Sequence, residues 1–132
     1  MAISGNTYTI TLKKAHLEWG TYRHTSSRGQ IYGEGYIPIP AQYARLYYIY
    51  NSNHSQTGIG FNEFHCTSTD GHFNGIVKTA GCSSRGSIYP KNLQGSGNLQ
   101  ALGNWFSQIN AKVGDSVEVT WISPNNIEIR HY

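Results

Sequence analysis

Hydrophobic and polar positions alternate along several short stretches of this chain, and one stretch carries helical spacing. Residues 7–13 read TYTITLK, with β-branched side chains and a period of two, which predicts a first strand. A Ser/Gly-punctuated loop follows from His16 to Gly35. YIPIP at 36–40 predicts a short strand that Pro38 and Pro40 confine to a sheet edge, and Pro40 can open a short helix over 40–45. LYYIYN at 46–51 predicts another strand, then NSNHSQTG a turn. Residues 59–67 alternate with one irregular step, making Ile59, Phe61, Phe64 and Cys66 core candidates. Asp70-Gly71 signals a hairpin turn, with HFNGIVKT as the return strand. AGCSSRGSIYPKNLQGSG predicts a second long polar loop, with at most a short extended piece at SIY.

Leu99, Leu102, Phe106 and Ile109 share one helical face, so a helix is expected over 98–109, with Asn98 as its N-cap and Trp105 beside the apolar stripe. A Gly-Asp turn leads into a strand that sets Val117, Val119 and Trp121 on one side; SPNN turns the chain into a last strand, IEIRHY. Seven strands and two short helices in this order, without internal repeats or a linker, point to one mainly β domain over 1–132. The architecture expected is a seven-stranded open antiparallel pseudobarrel capped by the helices.

Composition supports strands. Among 132 residues there are ten Tyr, three Trp, four Phe and fifteen Gly, and the residues that fill helices are scarce. Charge adds more through its placement than its total. The net charge is +3, but residues 13–28 carry +3, residues 78–91 carry another +3, and the rest of the chain carries −3. Two basic segments on a slightly acidic body suit a polyanionic partner. No apolar run is long enough for a membrane helix, and no charged-then-apolar leader opens the chain, so no membrane is expected and a cytoplasmic location is. Cys66 and Cys82 are too few for a disulfide framework and are read as free thiols.

Catalytic patterns are missing. Asp70 and Asp115 occupy turn positions, where carboxylates bond to the backbone. Glu118 and Glu128 point outward from strands, and no spacing pairs two carboxylates for acid–base chemistry. No phosphate loop, nucleophile elbow or zinc-protease helix occurs. His65, Cys66, His72 and Cys82 match no zinc spacing, and neighbours on a strand point to opposite faces. The expectation is therefore no catalytic residue, no metal and no cofactor.

The two basic segments do hold the inventory for reading nucleic acid. Arg23, His24, Ser26, Arg28 and Gln30 in the first, and Ser84, Arg85 and Asn92 in the second, are candidates for base edges, because Arg can pair with guanine and Asn or Gln with adenine bidentately. Lys13, Lys14, Lys78, Tyr89 and Lys91 are candidates for phosphates. A carbohydrate-binding β-module would also use abundant Tyr and Trp, but leaves the clustered charge unexplained. A small nuclease built around His24 is a further alternative.

GYIPIPAQYA resembles the strand-then-short-helix motif of plant B3 DNA-binding domains. NLQALGNWFSQINAKVGDSVEVTW resembles their aromatic-bearing helix followed by a Gly-Asp turn and a strand. LEWGTYRHTSSRGQIYGEGYIPIP is similar to the start of the B3-like recognition domain of certain type II restriction endonucleases, where it follows a phospholipase-D-type nuclease domain. The resemblance implies a DNA-binding pseudobarrel that grips the major groove of double-stranded DNA with two arms, which fall here on residues 19–30 and 82–92. It also implies a recognition module of a restriction-type system, with a nuclease domain or subunit as partner. No nuclease domain accompanies it in this sequence.

Overall fold

A computed structural model describes residues 2–17, 35–81 and 87–132. Seven strands form one sheet in the order β1-β6-β7-β3-β4-β5-β2. They are β1 (Thr7–Thr11), β2 (Ile37–Pro38), β3 (Glu63–Ser68), β4 (Asn74–Ala80), β5 (Asn92–Gly95), β6 (Ser116–Ser123) and β7 (Asn126–His131). The sheet curls into a nearly closed barrel. Among the described residues there are three short helices: α1 (Lys14–Leu17), α2 (Ala41–Leu46) and α3 (Ala101–Gln108).

Alternation builds the interior. Tyr8 and Ile10 from β1, Val117, Val119 and Trp121 from β6, Ile127 and Ile129 from β7, and Phe64 and Cys66 from β3 all point inward and are buried. Trp121 and Phe64 meet edge to face, with ring centroids 5.6 Å apart. Truncating a fully buried aromatic at such a place costs about 3–5 kcal/mol. α2 closes one end: Tyr43 stacks on Tyr8, and Tyr47 packs against Tyr43 and Trp121. α3 packs against the end of β5 with Leu102, Trp105 and Phe106 buried. The indole N–H of Trp105 donates to both carboxylate oxygens of Asp70, at 3.2 and 3.1 Å, tying α3 to the turn between β3 and β4.

Several expectations are corrected. The sheet is antiparallel except for β3 and β7, which run parallel. Residues 46–51 form no strand: α2 runs to Leu46, Tyr47 and Tyr48 turn, and Tyr48 takes a positive φ of 55°. Of this run only Ile49 is buried; Tyr47 and Tyr50 are half-buried against neighbouring rings, and Leu46 and Tyr48 are exposed. β3 begins at Glu63, four residues later than alternation suggested. Ile59 makes only an isolated bridge to Glu63 and is 36% exposed, and Phe61 is half-buried, so neither joins Phe64 and Cys66 in the core. The first strand stops at Thr11, so Leu12 and Lys13 fall outside it, and a single turn of helix, α1, begins at Lys14. Helix α3 begins at Ala101, later than expected, after a turn in which the Asn98 side-chain oxygen accepts the Gln100 amide. The second polar loop contains β5, which the sequence pattern did not reveal.

Gly95 explains how α3 sits so close to β5. A Cβ there would lie 2.2 Å from the Asn98 carbonyl oxygen and 2.7 Å from the Ala101 Cβ. Only glycine lets the strand end pass beneath the helix start. Pro38 stands in β2, the terminal strand, where a missing N–H leaves no interior ladder bond unmade.

Candidate nucleic-acid interface

β1 and β2 are the two ends of the sheet, and the barrel has a seam where they fail to pair. A groove of about 520 Å³ lies along this seam. Ile10, Pro38, Ile39, Pro40, Ala41 and Pro90 give it an apolar floor, and Lys13, His16, Arg45, Lys91 and Asn92 give it a polar rim. No carboxylate lines it among the described residues.

Both basic segments are rooted on this groove. The first leaves the described structure after Leu17 and returns at Gly35. Its two ends are fastened together where the Tyr36 amide donates to the His16 carbonyl, at 3.1 Å. His16 is buried, and its Nδ1 accepts the Lys13 amide at 3.0 Å. Burial, then the nearby Lys13 charge, lowers the pKa of His16, so the ring is held neutral with its proton on Nε2. The Tyr36 ring meets that imidazole edge-on at 5.2 Å, and burial raises its own pKa. Gly35 fits against α3 by lacking a side chain: a Cβ would come within 3.0 Å of the Phe106 ring and 3.1 Å of the Gly103 Cα.

The second segment returns through Tyr89, Lys91 and Asn92, all three on the groove. Ile39 donates its amide to the Lys91 carbonyl at 2.7 Å, which places this root beside the start of α2. Tyr36 and Lys91 are separated by about three rungs of the β2–β5 ladder, or about 10 Å at a strand rise of ~3.3 Å per residue.

The residues singled out in the sequence therefore divide. Lys13, Tyr89, Lys91 and Asn92 come together on the seam groove. Lys14 sits in α1, next to Lys13. Lys78 faces an adjoining polar cleft lined by Asn51, Asn53, Asn62, Glu63, Ser87 and Gln94, with Glu63 and Gln94 as its register partners on either side. Arg23, His24, Ser26, Arg28, Gln30, Ser84 and Arg85 lie outside the described residues, as does Cys82. Cys66 is a buried free thiol, and burial raises its pKa.

Arg45 escaped the sequence reading. It is far in sequence from both basic clusters, and α2 alone brings it to the groove, with its guanidinium 5.7 Å from the Tyr89 ring centre. Gln94 was also missed. It shares the outward face of β5 with Asn92, and only recognition of β5 as a strand could have paired them.

No protein-family model matches the chain, and no curated protein matches it. Among solved structures, the Arabidopsis FUS3–DNA complex aligns with 94% of this chain and 93% of its own, at a TM-score of 0.51 and 15% identity. Its domain is a plant B3 domain. Among the described residues no helix is long and apolar enough to cross a membrane. The strand order, the nearly closed seven-stranded sheet and this alignment together make the fold of the chain a B3-like pseudobarrel.

Proposed function

We propose that this chain binds double-stranded DNA sequence-specifically, with the seam groove against the duplex and residues 19–30 and 82–92 as two arms in the major groove. The observation that carries this reading is the convergence of two separate basic segments on one groove that has three cations and no described carboxylate. Roots about 10 Å apart suit a major groove about 12 Å wide. The fold shared with a protein solved on DNA supports the same reading.

In this reading Lys13, Lys14, Lys78, Tyr89 and Lys91 hold phosphates, and Arg45 joins them. Arg23, His24, Ser26, Arg28, Gln30, Ser84, Arg85 and Asn92 meet base edges. The chain has no catalytic residues of its own. The finer proposal, resting on the Leu-x-Trp-Gly to Tyr-Ile-Pro-Ile-Pro pattern, is that it serves as the recognition module of a restriction-type system in the cytoplasm, with a nuclease domain or subunit as partner.

Selection of bound duplexes from a random pool, followed by anisotropy titration of the winner and of a scrambled duplex, tests the reading. Binding should fall steeply with salt, because each neutralised phosphate adds about −0.9 to the slope of log K against log salt. No binding of any duplex at about 50 mM salt, where non-specific electrostatic contacts are strong, would sink it.

A further inference from the structure

Residues 50–54, between α2 and β3, were read from the sequence as a strand end and a turn. In the structure they run beside the roots of the second arm and bond to both of them. The Asn51 side chain donates Nδ2–H to the Gly81 carbonyl at 2.6 Å, on the limb where the arm departs. The Asn51 amide donates to the Ile88 carbonyl at 2.7 Å, on the limb where it returns. Asn53 donates Nδ2–H to the Ser87 carbonyl at 3.0 Å.

The same segment is itself held. Thr79 of β4 donates Oγ1–H to the Tyr50 carbonyl at 2.9 Å. The Tyr50 ring stacks on His54 with centroids 3.9 Å apart and planes within 6°, and its other neighbour is Tyr89, at 5.6 Å. A rigid brace is thus clamped to β4 and bonded to the backbone at residues 81, 87 and 88. One residue, Asn51, bridges the two limbs of the arm.

We infer that Asn51 and Asn53 are positioning residues for DNA recognition: they set the separation and direction of the second arm through its backbone and need not touch DNA themselves. The inference rests on the DNA-binding reading. Its physical basis is the different tolerance of the two kinds of contact. Base-edge hydrogen bonds need their donors placed within a few tenths of an ångström, whereas phosphate attraction is long-ranged and tolerates a loose arm. An arm that is not preorganised must also give up more freedom on binding. Loss of the brace should therefore lower affinity for the selected site far more than affinity for random DNA.

The test uses Asn51→Ala, which removes the bond to the Gly81 carbonyl and keeps the backbone bond to Ile88, and Asn53→Ala, which removes the bond to the Ser87 carbonyl. Asn126→Ala, which removes an exposed amide bond to Ser123 in a distant turn, is the matched control. Each protein is titrated with the selected and the scrambled duplex across a salt series. Hydrogen exchange of the 87–91 backbone is measured without DNA. The expected result is a specific affinity lower by tenfold or more for Asn51→Ala and by a smaller factor for Asn53→Ala, a scrambled-duplex affinity and salt slope within twofold of the parent for both, and faster exchange over 87–91 in Asn53→Ala, which frees the Ser87 carbonyl; Asn126→Ala leaves all three unchanged. A specific-to-scrambled ratio within twofold of the parent in both brace variants, or unchanged exchange over 87–91, overturns the positioning role while leaving the DNA reading intact. Failure of the parent protein to bind any duplex removes the DNA reading instead, and the exchange result then reports on the brace alone.

Discussion

Replacing Asp70 probes how the barrel holds its capping helix. Its carboxylate accepts from three donors on different parts of the fold: Ser68 Oγ at 2.6 Å, the His72 amide at 2.8 Å, and the Trp105 indole. Ser68 in turn accepts the buried Phe73 amide. Asp70→Ala leaves the Trp105 N–H without an acceptor in a side chain that is 1% exposed, which costs about 1–3 kcal/mol, and it deletes two turn bonds worth about 0.5–1.5 kcal/mol each. Asp70 itself is exposed, so water recovers part of this. The expected loss is about 2–3 kcal/mol, or about 1–1.5 M in the urea midpoint at an m-value of about 2 kcal/mol/M. Asp70→Asn keeps one acceptor oxygen and should lose about half as much. The pH dependence separates charge from shape. Burial of the carboxyl opposes ionisation, but the bonds from Ser68, His72 and Trp105 outweigh it and lower the pKa below its ordinary 3.8. The stability they add is complete above 3.8 and is lost as pH falls through the lower folded value. The midpoint gap between the parent and Asp70→Asn should hold steady from pH 7 to 5 and narrow below 3.8. A gap that is the same at pH 3 as at pH 7, or an Asp70→Ala midpoint within 0.3 M of the parent (about 0.6 kcal/mol), refutes the account.

On the seam groove, Lys91→Ala should weaken binding to selected and scrambled duplexes alike and reduce the salt slope by about 1. Lys78→Ala, whose lysine pairs in register with Glu63, should change the slope by less. Gly35→Ala should push the first arm's root off Phe106 and Gly103, costing about 1–3 kcal/mol in urea unfolding and several-fold in specific affinity; unchanged affinity would mean that this root does not set the arm. His16 is held neutral by burial, so its contribution to stability is complete above its ordinary 6.5 and is lost as pH falls from there toward its lower folded pKa. The parent's urea midpoint should therefore drop more between pH 7 and 5.5 than that of His16→Gln, and parallel pH profiles would count against it.

The strands legible in the sequence are those whose alternation matches a buried and an exposed face. Tyr8 and Ile10, and then Val117, Val119 and Trp121, point inward as their period of two requires. The Asp70-Gly71 turn and the edge position of Pro38 were equally readable, because each depends on local backbone chemistry. Two segments misled for opposite reasons. LYYIYN has high strand propensity, yet such propensity measures fit to a half-buried pleated surface, and Tyr47 finds that surface on Tyr43 and Trp121 without a ladder partner. NLQG has low propensity, yet it pairs with β4 on one side and β2 on the other. Its register is supplied by neighbours distant in the chain. The parallel pairing of β3 and β7 is likewise non-local, and no window of sequence contains it.

The candidate site shows the same division with more at stake. Charge along the chain pointed to both basic segments because each is contiguous. Charge in space is a different sum. The seam exists because β1 and β2 are sheet ends that do not pair, and what collects there is decided by topology. Lys13 arrives just before α1, Lys91 just before β5, and Arg45 by way of α2. Arg45 belonged to no cluster until α2 was docked. Lys78 belonged to a cluster in sequence, but alternation in β4 sets it between Glu63 and Gln94, on the adjoining cleft. A duplex lying along the seam would therefore meet Lys13, Arg45 and Lys91 without an opposing described carboxylate, while Lys78 acts beside an acid. This gradient along the outer face of β5, from the cationic groove at Asn92 toward the amide-rich cleft at Gln94, would give a duplex bound as proposed one electrostatically favoured side on which to lie. Asn92 and Gln94, two residues apart on that face, stand about 7 Å apart along the strand, close to two base steps of 3.4 Å. That spacing makes Gln94 the natural companion to Asn92 if the strand follows the duplex axis, and a selection repeated with Gln94→Ala should relax preference at one base position two steps from the position that Asn92→Ala relaxes; relaxation at the same position by both would show that β5 crosses the duplex instead.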